Sequence, residues 1–88
     1  MKTYTNKKGN SGVKAYENGI DYIIVQFGDW YYLYTIHIPG VQEVKEMKRL
    51  AEDSEDLSTY ITQNIKTKFE KKSKDLTEIR NHLRSKKN

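Results

Sequence analysis

The sequence predicts an α+β domain: a three-stranded antiparallel β-meander followed by two or three α-helices packed on one face. Three observations predict it. Two runs rich in β-branched and aromatic residues, 22–27 and 30–38, flank the dipeptide Gly28-Asp29, and glycine at the first central position suits a tight two-residue hairpin. A third run, 13–17, precedes them across Asn18-Gly19, another hairpin signal. Beyond Pro39-Gly40 the apolar spacing changes from a period of two to helical spacing. Strands followed by helices indicate segregated sheet and helix layers.

Each element follows from its residues. Residues 1–12 read as a flexible N-terminal arm, because Lys7-Lys8-Gly9-Asn10-Ser11-Gly12 offers nothing to bury. A two-residue loop at Gly28-Asp29 pairs Phe27 with Trp30, Val25 with Tyr32 and Ile23 with Tyr34. Those side chains then share one face with Ile36, the expected core face. Tyr22, Ile24, Gln26, Tyr31, Leu33, Thr35 and His37 fall on the other face. Pro39 ends the third strand, since it cannot donate to the ladder. Val41, Val44, Met47, Leu50 and Ala51 mark a first helix. The acidic stretch 52–56 supplies caps for a second helix, whose stripe is Leu57, Tyr60, Ile61, Ile65 and Phe69. Leu76, Ile79 and Leu83 mark a third. The expected organisation is an arm at 1–12, a domain at 13–70, and a basic helix or tail at 71–88.

Composition narrows the function classes. Eighty-eight residues make one domain. The absence of cysteine excludes disulfides and thiolate metal sites. No apolar stretch approaches a membrane span, and the N-terminal residues lack an apolar signal region, so an unprocessed cytoplasmic chain without a membrane partner is expected. The net charge of +4 is uneven: residues 1–40 carry +1, residues 41–65 carry −3, and residues 66–88 carry +6. Clustered positive charge of this kind attracts polyanions.

The order of elements carries a resemblance. Tyr32-Leu33-Tyr34 after the alternation Ile23, Val25, Phe27-Gly28, then Ile38-Pro39 leading into a helix, and Tyr60-Ile61 with Asn64-Ile65-Lys66 further on, is similar to the KTSC domain. That module stands at the C-terminus of some lysyl-tRNA synthetases and as small bacterial proteins. The resemblance spans roughly residues 12–70. It departs at Asp56-Leu57-Ser58, where the family has Ser-x-Gly, and at Thr62, where asparagine is common. It implies a module rather than an enzyme, with Tyr32, Tyr34 and Pro39 as structural motif residues and RNA as the partner suggested by the synthetase setting.

The binding residues expected for nucleic acid are the cations Lys66, Lys68, Lys71, Lys72, Lys74, Arg80 and Arg84, with Tyr22 and Tyr31 as stacking rings on the second sheet face. Phosphates need several cations on one side. Exposed rings on a sheet accept bases at about 1–3 kcal/mol each. The alternative is a protein-docking module, binding a partner or a second copy through the apolar sheet face or through Leu76, Ile79 and Leu83; a small phage or mobile-element protein that inhibits a host target belongs to this class. No cofactor, metal or catalytic residue is expected. His37 and His82 lack a triad or ligand pattern, and the acidic stretch lacks the spacing of a calcium loop.

Overall fold

The computed structural model describes residues 1–4, 12–53 and 55–85. The architecture is α+β, with a five-stranded antiparallel sheet in sequential order. The strands are β1 (Lys2–Thr3), β2 (Val13–Asn18), β3 (Tyr22–Phe27), β4 (Trp30–Thr35) and β5 (Lys71–Ser73). The helices are α1 (Val41–Glu52), α2 (Leu57–Tyr60), which continues as a π-helical turn over Ile61–Ile65, and α3 (Leu76–Ser85).

The central hairpin has the expected register. Phe27 pairs with Trp30, Val25 with Tyr32 and Ile23 with Tyr34. Gly28 takes φ 55 while Asp29 keeps a negative φ, the combination that a right-twisted two-residue hairpin requires. The turn at Asn18-Gly19 is different. Asn18 pairs with Ile23, so the loop is longer than two residues, and the Gly19 amide donates to the Tyr22 carbonyl. Gly19 has no positive φ. Its glycine serves close approach instead, because a Cβ there would overlap the Tyr22 ring.

Two more strands complete the meander. β1 pairs with β2, and Tyr4 behind it is buried. Its hydroxyl accepts the Leu57 amide at 3.1 Å, so residues 1–4 are not part of an arm; the rest of the expected arm, 5–11, lies outside the described residues. β5 adds to the other edge, pairing Ser73 with Tyr31, Lys72 with Tyr32 and Lys71 with Leu33. Lys71 and Lys72, expected in a basic helix or tail, therefore lie in an edge strand, and β5 and α3 belong to the same sheet and core as residues 13–70.

Helices cover both faces rather than one. Val44, Met47, Leu50 and Ala51 of α1, with Leu57, Ile61 and Ile65, pack on Val13, Tyr16, Ile23, Val25 and Tyr34. On the opposite face Ile79 of α3 packs on Ile24 and Leu33, flanked by Tyr22, Tyr31, Leu76 and Leu83. The apolar spacing of α3 gives it one buried stripe, and the second sheet face is what that stripe covers.

Three local expectations fail for physical reasons. The strand from Trp30 stops at Thr35, because the Thr35 hydroxyl accepts the amides of His37 and Ile38, both at 3.2 Å. The chain there folds into a tight turn through the cis Ile38-Pro39 bond. Ile36 therefore leaves the core face and is exposed. The second helix ends at Ile65, where Lys66 adopts φ 58, and Phe69 reaches the core from the following turn. Asp56 stands at the start of α2 but makes no side-chain capping bond; Ser54 lies outside the described residues. Among the described residues no helix is long and apolar enough to cross a membrane.

Candidate nucleic-acid interface

The register of β4 and β5 builds one aromatic and cationic cluster. Paired residues on neighbouring strands share a face, so Lys72, opposite Tyr32, points the way Tyr32 and Trp30 point. Trp30 stands just after the hairpin turn, where α1 and α2 no longer cover the sheet, and is 37% exposed. The Lys72 ammonium lies 5.1 Å from the centre of the Trp30 ring and 5.7 Å from that of Phe69. The Lys74 ammonium, just after β5, lies 5.2 Å from the centre of the Trp30 ring. Cations over an aromatic face at this range are held by its quadrupole.

Rings continue inward from Trp30. Tyr32 meets Phe69 edge-on at 5.1 Å and Phe27 edge-on at 5.5 Å. It also lies nearly parallel to Tyr34, at 6.4 Å and 14°. Tyr34 is fully buried, and burial pushes its phenol far above the usual tyrosine range. The motif tyrosines thus divide: Tyr34 is core, while Tyr32 sits half-buried at the base of the Trp30 cluster.

The expected cations are spread around the molecule. Lys66 and Lys68 are exposed on the turn after Ile65, and Lys71 is half-buried on the opposite side of β5 from Lys72. Among the described residues none of Lys66, Lys68, Lys71, Lys72, Lys74 or Arg84 is in an ion pair. Arg80 is engaged. Its guanidinium donates to both Glu17 oxygens, at 2.9 and 2.7 Å. These bonds hold the Glu17 carboxyl below its ordinary value, against the opposing effect of burial.

Tyr22 and Tyr31 do not form a stacking platform. α3 lies over their face, and both are packed against the Ile24, Leu33 and Ile79 cluster. The Tyr22 hydroxyl donates to Glu17 at 3.4 Å, and burial followed by the Glu17 charge raises its pKa. The same helix covers the apolar sheet face proposed for protein docking and takes Ile79 into the core. Exposed aliphatic side chains lie elsewhere, at Ile20, Ile36, Ile38 and Val41.

One polar array links the second face to the β4 exit. The Thr35 hydroxyl donates to Glu70 Oε1 at 2.6 Å, and His82 Nε2 lies 2.7 Å from Glu70 Oε2. The carboxylate stands between hydroxyl and imidazole, so the histidine does not touch the hydroxyl it would have to deprotonate as a general base. The array instead ties α3 to the segment before β5. Among the described residues no group of His, Asp and Glu is placed to hold a metal.

Sequence reasoning missed Trp30 as a surface group. Trp30 shares the parity of the core residues, and parity says nothing about where the covering helices stop. The available signal was its place immediately after a two-residue turn, at the far end of the hairpin from the helix connection. No family model, curated protein or solved structure matches this chain.

Proposed function

We propose that the protein is a non-catalytic module that binds single-stranded RNA along the β4–β5 edge. The observation that carries this reading is the half-exposed Trp30 ring flanked by Lys72 and Lys74. A base stacks on Trp30, and the ammonium groups neutralise the phosphates on either side of it. Lys66 and Lys68, exposed on the turn before β5, add to the field. Single-strand binders combine a cationic track with aromatic platforms in this way. The resemblance to the KTSC domain supports the same reading, as does the +6 charge of residues 66–88.

Trp30 is the sole tryptophan, so its fluorescence reports the contact. Titration with a homopolymeric RNA at low salt should quench it saturably. Trp30→Ala, followed by polarisation of a labelled RNA, should weaken binding by about ten- to hundred-fold, the equivalent of one stacked base. For two phosphates held by Lys72 and Lys74, log K should fall with log salt at a slope of about −1.4. Binding that is indifferent to Trp30→Ala and to salt would refute the proposal.

A further inference from the structure

A second site lies at the other end of β4. Trp30 and Thr35 are separated by five residues of strand, about 17 Å, and beside Thr35 opens a groove of about 620 Å³. That volume is in the range of pockets that hold small organic ligands. Three segments meet there: the β2–β3 loop with Ile20, the β4 exit with His37, and the last turns of α3 with Leu83 and Arg84. Lys48 holds the loop from α1 by donating to the carbonyls of Gly19 and Ile20.

The polar groups at the floor are already occupied. The Thr35 hydroxyl donates to Glu70 and accepts two backbone amides. Tyr22 donates to Glu17, and Arg80 is clamped by the same carboxylate. The rim is different. Arg84, one turn beyond Arg80 on the same helix face, has no ion pair among the described residues. His37 is exposed beside it, and Ile20 is 99% exposed. A free guanidinium next to unused apolar surface recognises an oxyanion attached to an apolar body.

We infer that this groove binds a phosphomonoester with an aromatic or apolar body. The phosphate sits at Arg84 and His37, and the body lies against Ile20 and Leu83. Phosphate is preferred over carboxylate because Arg84 and His37, on two different segments of the rim, present donors to a group with three acceptor oxygens. A nucleoside monophosphate and the phosphorylated end of a nucleic-acid strand share this chemistry. Asp21 is the acid among the groove residues, and it opposes the bound charge. The site is independent of the Trp30 edge.

Amide NMR titration of the full chain with adenosine monophosphate tests the inference, with adenosine as the uncharged control. The nucleotide should shift residues 20–22, 35–37 and 80–84 saturably, and adenosine should not. Arg84→Gln, an exposed position, should weaken the binding about ten-fold or more, and Asp21→Asn should tighten it several-fold. Equal shifts from both ligands, or unchanged affinity in Arg84→Gln, would overturn the assignment. Loss of the nucleotide in Trp30→Ala would also overturn it, by placing the phosphate at the other end of β4. A trinucleotide RNA with a 5′-phosphate, compared with its 5′-hydroxyl form, distinguishes the two sources: a gain from the phosphate beyond the affinity for adenosine monophosphate assigns the groove to a strand end, and equal affinity assigns it to the free nucleotide.

Discussion

Ile79→Ala measures how far α3 belongs to the folded unit. Ile79 is fully buried against Ile24 and Leu33. The substitution deletes three carbons, about 2.4 kcal/mol of transfer free energy at ~0.8 kcal/mol per group. A cavity adds to this, and isoleucine-to-alanine changes in cores cost about 2–5 kcal/mol. Leu76 and Leu83 beside it are only half-buried, so α3 can settle inward and the cost should fall near the lower end, at about 3 kcal/mol. For a domain of this length each kcal/mol moves Tm by about 4–8 °C, which gives a fall of roughly 12–24 °C. Urea unfolding followed by far-ultraviolet circular dichroism gives the free energy, and a thermal scan gives Tm. Ile36→Ala, at an exposed position, is the control and should stay within about 0.5 kcal/mol. If Ile79→Ala also stays within that limit, α3 is a peripheral tail and the covered second face is wrong.

Two further predictions rest on single groups. Glu17 is held below its ordinary carboxyl pKa by Arg80, so its ion pair stabilises the fold above the unfolded value of about 4.5 and that contribution is lost as pH falls through the depressed folded value. Arg80 is 44% exposed, so solvent screening keeps the effect small. Urea midpoints at pH 6 and pH 3 should differ less in Glu17→Gln than in the parent, and an equal acid loss in both refutes the assignment. Gly28→Ala places a side chain at φ 55, which costs an L-residue about 1–2 kcal/mol; nothing crowds the added Cβ, so D-alanine introduced by chemical synthesis should restore stability. Equal stability of the two enantiomers would refute the turn conformation.

The parts of the fold legible in the sequence are those set by local periodicity. The register from Phe27-Trp30 to Ile23-Tyr34 follows from a two-residue turn and a period of two, and both are local. Val44, Met47 and Leu50 likewise announce their helix. β5 escaped because Lys71-Lys72-Ser73 has no apolar alternation; its strand conformation comes from pairing with β4, 38 to 42 residues earlier. β1 escaped for the same reason, and among residues 1–4 only Tyr4 is buried. The candidate interface depends on that non-local pairing, since it is β5 that brings Lys72 and Lys74 to Trp30. Arg80 looked like a free cation because Glu17, its partner, lies 63 residues away.

The sheet ends on two short strands, β1 and β5, each carrying lysine at its open edge: Lys2 on one side, Lys71 and Lys72 on the other. Edge lysines keep one sheet from adding to the next. Lys72, proposed to hold phosphate, therefore has a second effect, on colloidal behaviour. Neutralising Lys71 and Lys72 together, by substitution or acetylation, removes charge from the only edge that also bears exposed aromatic surface among the described strands. Such a protein should self-associate more strongly than the parent, and sedimentation at several loadings would show it. A loss of RNA affinity in that variant has meaning only beside its association state.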